Sequence, residues 1–387
     1  MLDGLRGVAI LMVMLYHQTL IGDGGPFVDQ AWSAVLGVGW AGVDLFFVLS
    51  GFLITGILFD AKGSGGYFRA FYARRVLRIF PLYYAVVAFS LLVLPNLAHP
   101  KAENFARVAG QEHWYWLHLS NVVVASNRDF WHGILDVAWS LSIEEQFYLV
   151  WPLAVFALGR TPLMRLCAAL VAGALAWRVG ALLLGVHPVA VYVLPLSRMD
   201  ALAVGALVAL WARGPAGIAA PLRAARPVAL ASGAALLGML VGLRRLDAFQ
   251  PLVQTAGYTL LALLFGALLT LAVAARPESG WARALDRPAL RTLGKYSYAM
   301  YLFHFPIRGV LRDAVYGPDR FLVLAGSAIP GQILFYALST AVTLLAAWLS
   351  WHLYEKRFLA LKKHFPYGER PAAPGVVGKV AFDRVGA

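Results

Sequence analysis

Residues Leu2 to His17 read LDGLRGVAILMVMLYH, an apolar run that opens on an arginine and closes on a histidine. Arg6 and His17 lie eleven positions apart, so on a helix they return to nearly one face after about three turns, about 16 Å along the axis. That is about half the hydrocarbon thickness of a bilayer. The spacing sets an arginine at one membrane surface and an imidazole in the opposite leaflet, and an ionisable group at such depth marks a functional site by default. An anchoring arginine with a histidine at a helix end is the plainer alternative, and the pair alone leaves both open.

The rest of the chain agrees with a membrane setting. Of 387 residues, 60% are hydrophobic and only 14% are charged, with a mean hydropathy of +0.68. An ordinary soluble domain is excluded, and the expected fold is an all-α, polytopic transmembrane helical bundle. Apolar runs bounded by Pro, Gly and charge give about ten spans, near 5–21, 36–59, 80–95, 138–158, 164–185, 199–212, 228–243, 254–275, 294–311 and 326–351. The runs near 80–95 and 199–212 are short and must draw on their flanks. Residues 1–355 form the expected membrane domain, and 356–387 a basic cytoplasmic tail, expected to be partly disordered. The N-terminus lacks a basic leader and a small-residue cleavage site, so Leu2 to Leu20 reads as a retained first span. Cys167 is the single cysteine, which excludes an intrachain disulfide.

The net charge of +13 lies between apolar spans rather than along a soluble face, so it reports topology and not nucleic-acid binding. Asp23 and Asp29 follow the first span, whereas Lys62, Arg69, Arg74, Arg75 and Arg78 follow the second, and the alternation continues. Roughly 23 basic residues fall on one side and roughly 9 on the other, with Arg178 inside a span. The positive-inside rule then puts both termini in the cytoplasm. The longest outer loop, 96–137, carries Trp114, Trp116, His113, His118, Trp131 and His132, which read first as a headgroup belt.

Within this topology several ionisable groups sit at about the level of His17: Asp44, Glu144, Glu145, Arg198, Asp200 and His304. Facing lipid would cost about 2.5 to 3.5 kcal/mol for each acid or arginine, so they are expected to converge on a wet cavity. Structural alternatives stand beside this. Ser142 and Glu145 have capping-box spacing, Asp44 or Asp200 can pair with Arg198, and His304 can be a satisfied core histidine. No metal-ligand spacing is present, and no metal is expected. At the opposite surface RAFYARRVLRIFP places Arg74, Arg75 and Arg78, of which Arg74 and Arg78 share a helix face. Such guanidiniums suit phosphate groups, although a positive-inside loop is basic in any case.

Taken in order, Arg6 with His17, GVDLFFVLSGFLIT, RRVLRIFP, WSLSIEEQFY, RMDALAVGA and YSYAMYLFH resemble the acyltransferase-3 family of integral membrane acyltransferases, from Leu2 to about Phe358. One departure is SWHLYEKRF at the end of the last span, where the family often has a proline before the phenylalanine. No SGNH-type esterase domain follows, so a stand-alone form is expected. The resemblance implies a bacterial inner-membrane enzyme that moves an acyl group, commonly acetyl from acetyl-CoA, to a hydroxyl of a carbohydrate or glycosylated acceptor. It makes His17 the catalytic base, Arg6 its partner, Arg75 and Arg78 contacts to the CoA phosphates, with Arg74 beside them, and Glu144 a catalytic or acceptor-orienting acid. Asp44, Arg198, Asp200 and His304 are expected at the substrate or cavity. His17 either deprotonates the acceptor or carries the acyl group transiently. The rival reading is a transporter or channel for a sugar or acyl-bearing metabolite, since embedded charges also mark transport pathways. A second rival keeps acyl transfer but changes the donor, to succinyl-CoA for example, or the acceptor, to an amine.

Overall fold

Each of the ten apolar runs falls on a long helix in the computed structural model, which describes residues 1–22, 25–96, 108, 110–130, 133–316 and 322–368. Asp23, Trp131, His132 and the tail from 369 onward lie outside the described residues. The long helices are α1 (Leu2–Gln18), α2 (Gly42–Ala61), α3 (Tyr67–Ala88), α4 (Ala138–Ala157), α5 (Arg160–Leu183), α6 (Pro195–Trp211), α7 (Ala219–Leu243), α8 (Tyr258–Val273), α9 (Pro288–Leu311) and α10 (Ile329–Ser350). Among the described residues there is no β-strand, as expected where backbone groups must be satisfied without water. Seven helical segments are long and apolar enough to cross a membrane, namely Phe27–Ala61, Tyr67–Asn96, Arg160–Leu183, Pro188–Trp211, Ala219–Leu243, Val253–Val273 and Ile329–His364. The other three long helices are α1, α4 and α9, which carry Arg6 and His17, Glu144 and Glu145, and His304.

The two short runs are completed at their N-terminal sides. The run at 80–95 begins at Tyr67, so the basic RAFYARR stretch is part of α3 rather than a loop, with Arg74 and Arg75 half-buried and Arg69 exposed. The run at 199–212 begins at Pro195, a residue suited to the first helical position, and Pro188–Val193 adds a turn and a half before it. The expected capping box does not form. Helix α4 starts at Ala138, which puts Ser142 inside the helix, where its hydroxyl donates to the Ala138 carbonyl at 3.2 Å and contacts the Ser120 hydroxyl at 2.8 Å. The preceding Trp139 and Leu141 are buried helix-compatible residues, and nothing there stops the helix at the serine.

Close approach of backbones organises the centre. Helices α2 and α6 cross where a Cβ at Gly51 would strike the Leu202 carbonyl oxygen and one at Gly205 the Val48 carbonyl oxygen. Small residues serve this purpose in membranes, where dispersion and close packing replace the hydrophobic drive to associate. Helix α1 lies along α9 on the same terms, with Gly294 against the Asp3 carbonyl.

Around that crossing the buried charges are paired. Arg198 on α6 reaches Asp44 on α2 at 2.9 Å, and Arg178 on α5 reaches Asp200 on α6 at 2.8 Å, all four side chains being essentially inaccessible. Asp200 therefore pairs with Arg178 and not with Arg198; the two-residue step from Arg198, about 200° around the helix, directs the two side chains to different neighbours. Arg178 also donates to the Ser197 carbonyl at 2.6 Å, and Thr259 donates to Asp200 at 3.0 Å. The Arg198 guanidinium lies 4.2 Å from the ring centre of Tyr258 and 5.0 Å from that of Tyr192, which adds cation–π attraction.

Two outcomes follow for stability. Gly205→Leu inserts a side chain into the α2–α6 crossing and lowers the thermal unfolding temperature of the detergent-solubilised protein, with an expected cost of about 1–3 kcal/mol or more from overpacking. Asp44→Ala strands the Arg198 guanidinium and costs about 3–5 kcal/mol, as removal of one partner of a buried pair does. An unchanged melting temperature for either variant contradicts the corresponding contact.

Candidate active site

A cavity opens between α1, α2, α3, α4 and α9, and Arg6, Ser50, Arg75, Arg78, Glu144 and Tyr301 are among its lining residues. Arg75 and Arg78 are three apart on α3 and share the cavity face. Arg74, one position earlier, points away: its Nη1 lies 3.4 and 3.5 Å from the Lys362 and Phe365 carbonyls, and its guanidinium sits over the Tyr367 ring. The paired face expected for Arg74 and Arg78 is thus that of Arg75 and Arg78, because the helix carries on through this stretch and Arg74 is turned to the chain's C-terminal segment.

Aromatic faces, not carboxylates, hold the two cavity arginines. The Arg75 guanidinium is 5.5 Å from the Tyr148 ring centre, and that of Arg78 is 5.5 Å from the Trp351 ring centre. Among the described residues, neither of them nor Arg6 has a carboxylate within ion-pair distance. Three guanidiniums on one cavity repel one another unless an anion lies between them, and their planar forks fit phosphate oxygens.

Across the cavity Ser50 donates to Glu144 Oε1 at 2.5 Å, and Tyr148 donates to the Ser50 hydroxyl at 3.2 Å. Glu144 is therefore oriented by a hydroxyl chain. Glu145, freed from any capping role, also lines the cavity, and its Oε1 is buried without a hydrogen-bond partner.

At the far end of the cavity the Ser140 and Tyr301 hydroxyls meet at 2.6 Å. One turn along α9, His304 Nδ1 lies 2.7 Å from the Tyr301 carbonyl, and its Nε2 lies 2.9 Å from Nδ1 of His17. The two imidazoles stack with centres 5.0 Å apart and planes inclined by 28°. His304 is fully buried and His17 half-buried. His17 is not one of the cavity-lining residues; Tyr301 is, and His304 contacts both Tyr301 and His17. Arg6, three turns down α1, is not the partner of the His17 ring, and His304 is.

The expected single convergence thus resolves into two clusters. Arg6, Arg75, Arg78 and Glu144 share the cavity, with His17 and His304 joined beyond its end, whereas Asp44, Arg198 and Asp200 belong to the ion pairs at the α2–α6 crossing and do not line it. Ser50, Tyr148 and Tyr301 escaped the sequence reading, since single hydroxyls in apolar runs are ordinary. The common depth of His17 and His304 was the available signal for their pairing.

The profile of a family described as an acyltransferase domain matches residues 1–352. The peptidoglycan O-acetyltransferase OatA of Listeria monocytogenes is 29% identical over 322 residues, which covers 79% of this chain and 49% of that protein. The O-acetyltransferase OatA of Staphylococcus aureus is 29% identical over 333 residues, covering 79% of this chain and 50% of that protein. The chain spans about half the length of these curated relatives. No solved structure matches it. Seven apolar helices and these bacterial relatives mark an integral bacterial membrane protein. A match over nearly the whole chain, on the helices that build the cavity, means that the chain belongs to the acyltransferase-3 family.

Proposed function

We propose that this acyltransferase is a membrane-embedded O-acetyltransferase that takes acetyl from acetyl-CoA on the cytoplasmic side and delivers it to a hydroxyl of an extracytoplasmic carbohydrate. The observation that carries the reading is the set of three guanidiniums without carboxylate partners, Arg6, Arg75 and Arg78, on one cavity whose far end adjoins the His304–His17 pair. The names of the relatives, which are O-acetyltransferases and in one case of peptidoglycan, support a polysaccharide acceptor. In this reading all ten long helices cross the membrane and both ends of the chain are cytoplasmic, which the loop charges support.

The charged nucleotide end of CoA cannot enter hydrocarbon cheaply, so it stays at the arginines while the thin pantetheine arm carries the thioester inward. Arg6 then acts with Arg75 and Arg78 on the phosphates, and Arg74 holds the C-terminal segment. His17 takes the proton of the acceptor hydroxyl as its oxygen bonds to the acyl carbon. The carbon–sulfur bond breaks, and the proton passes from the imidazole to the departing thiolate, which leaves CoA as the thiol. Glu144, held by Ser50, orients the acceptor or the acyl arm. Acyl-CoA and the carbohydrate acceptor are the partners of this site, with lipid around it.

Membranes containing the protein, incubated with labelled acetyl-CoA, are expected to place label in the carbohydrate fraction. His17→Ala abolishes that label while the amount of inserted protein is unchanged; turnover in the variant removes His17 from the chemistry. A transporter leaves no covalent product in any fraction. Arg75→Gln and Arg78→Gln each raise KM for acetyl-CoA by about 10- to 100-fold, from the loss of a charge-assisted hydrogen bond. Both leave the rate with acetyl-pantetheine, which has no nucleotide phosphates, unchanged. An equal effect on the two donors contradicts phosphate binding by these arginines.

A further inference from the structure

His304 Nδ1 lies 2.7 Å from the Tyr301 carbonyl oxygen and 3.2 Å from that of Met300. Carbonyl oxygens only accept, so Nδ1 carries a hydrogen. In the neutral ring, Nε2 of His304 then holds the lone pair. The 2.9 Å contact between that atom and His17 Nδ1 needs one hydrogen, and only His17 is left to supply it. From this we infer that His304 is a positioning residue that fixes His17 in its Nδ1–H tautomer, so that Nε2 of His17 is the atom that takes the acceptor proton or bonds to the acyl group.

Among the described residues, His304 is the one hydrogen-bond contact of the His17 ring. The His17 ring lies 5.0 Å from the Tyr16 ring centre and edge-on to Phe305 at 5.5 Å. The charged group nearest in influence on the neighbouring helix is Arg308, which donates only and whose Nε has no partner. His304 is itself oriented twice: by the helix carbonyls and by packing beside Tyr301, whose hydroxyl is tied to Ser140. A hydrogen-bonded group behind a catalytic imidazole selects which nitrogen is basic, and the wrong tautomer has no lone pair facing the substrate.

The inference rests on the acetyl-transfer reading, and its test separates the two. His304→Asn keeps a donor for the Tyr301 carbonyl but offers nothing that reaches His17; His304→Gln places an amide oxygen near the former Nε2. With the wild-type protein active in the labelled acetyl-CoA assay, His304→Asn is expected to lower kcat about 100-fold with KM for acetyl-CoA unchanged, and His304→Gln to restore it to within about tenfold of wild type. Equal kcat in the two variants, or a loss carried by KM, overturns the positioning role. Nitrogen-15 spectra of the histidine-labelled wild-type protein in detergent give a second measure that needs no variant at His304, with His17 assigned by its loss in His17→Ala. A protonated Nδ1 and bare Nε2 on His17 are expected, and a protonated Nε2 overturns the inference. Absence of transfer by the wild type overturns the functional reading instead, while the spectra still report the tautomer.

Discussion

An unpaired charge inside an apolar bundle is the constraint on which the rest of this structure depends. Arg6, Arg75 and Arg78 bring three positive charges to one cavity without a carboxylate in ion-pair distance among the described residues. The same chain pairs its other deeply buried arginines: Arg178 with Asp200 and Arg198 with Asp44. Both pairs lie at the helix crossing and are sealed from solvent, as neutralised charges in low dielectric must be. The contrast within one molecule separates charges that hold helices together from charges that line the cavity without a carboxylate in ion-pair distance.

The arrangement of helices serves that division. Helices α1, α4 and α9 carry the arginine, carboxylate and histidine groups and are the long helices that fall outside the seven segments long and apolar enough to cross a membrane, α1 having only 17 residues. They are tolerable in a membrane only because they pack against more apolar neighbours and turn their polar faces to the shared cavity. Glycines make this packing close: Gly294 admits the α1 backbone to α9, which brings His17 to His304, and the α2–α6 contact at Gly51 and Gly205 lies near the depth of Ser50. Backbone contacts between helices thereby set the side-chain distances in the site.

The site has two ends of different chemistry. At one, cations and aromatic faces suit a phosphate-bearing ligand; at the other, a neutral hydroxyl and imidazole chain suits proton movement. The C-terminal segment belongs to the first end. The last helix runs on to His364, and Phe365 and Tyr367 sit against the Arg69 and Arg74 guanidiniums. Arg74 is therefore occupied with the chain itself, and Arg6 is the third arginine on the cavity beside Arg75 and Arg78.

Hydropathy along the chain determined the all-helical class and the positions of the ten long helices, and it singled out the embedded ionisable groups, because lipid penalises every charged residue that has no reason to be there. The eleven-residue step from Arg6 to His17 likewise determined that the two lie on one face of one helix, at different depths. Partner choice was decided only in three dimensions. His17 meets His304 from 287 positions away, Asp200 turns to Arg178 although Arg198 is two residues off, and Glu145 faces the cavity because α4 begins four residues before Ser142. Spacing along one helix gives direction and depth, whereas a contact between helices depends on how closely and at what rotation they pack, and that is set by the sum of many weak contacts spread over the whole bundle.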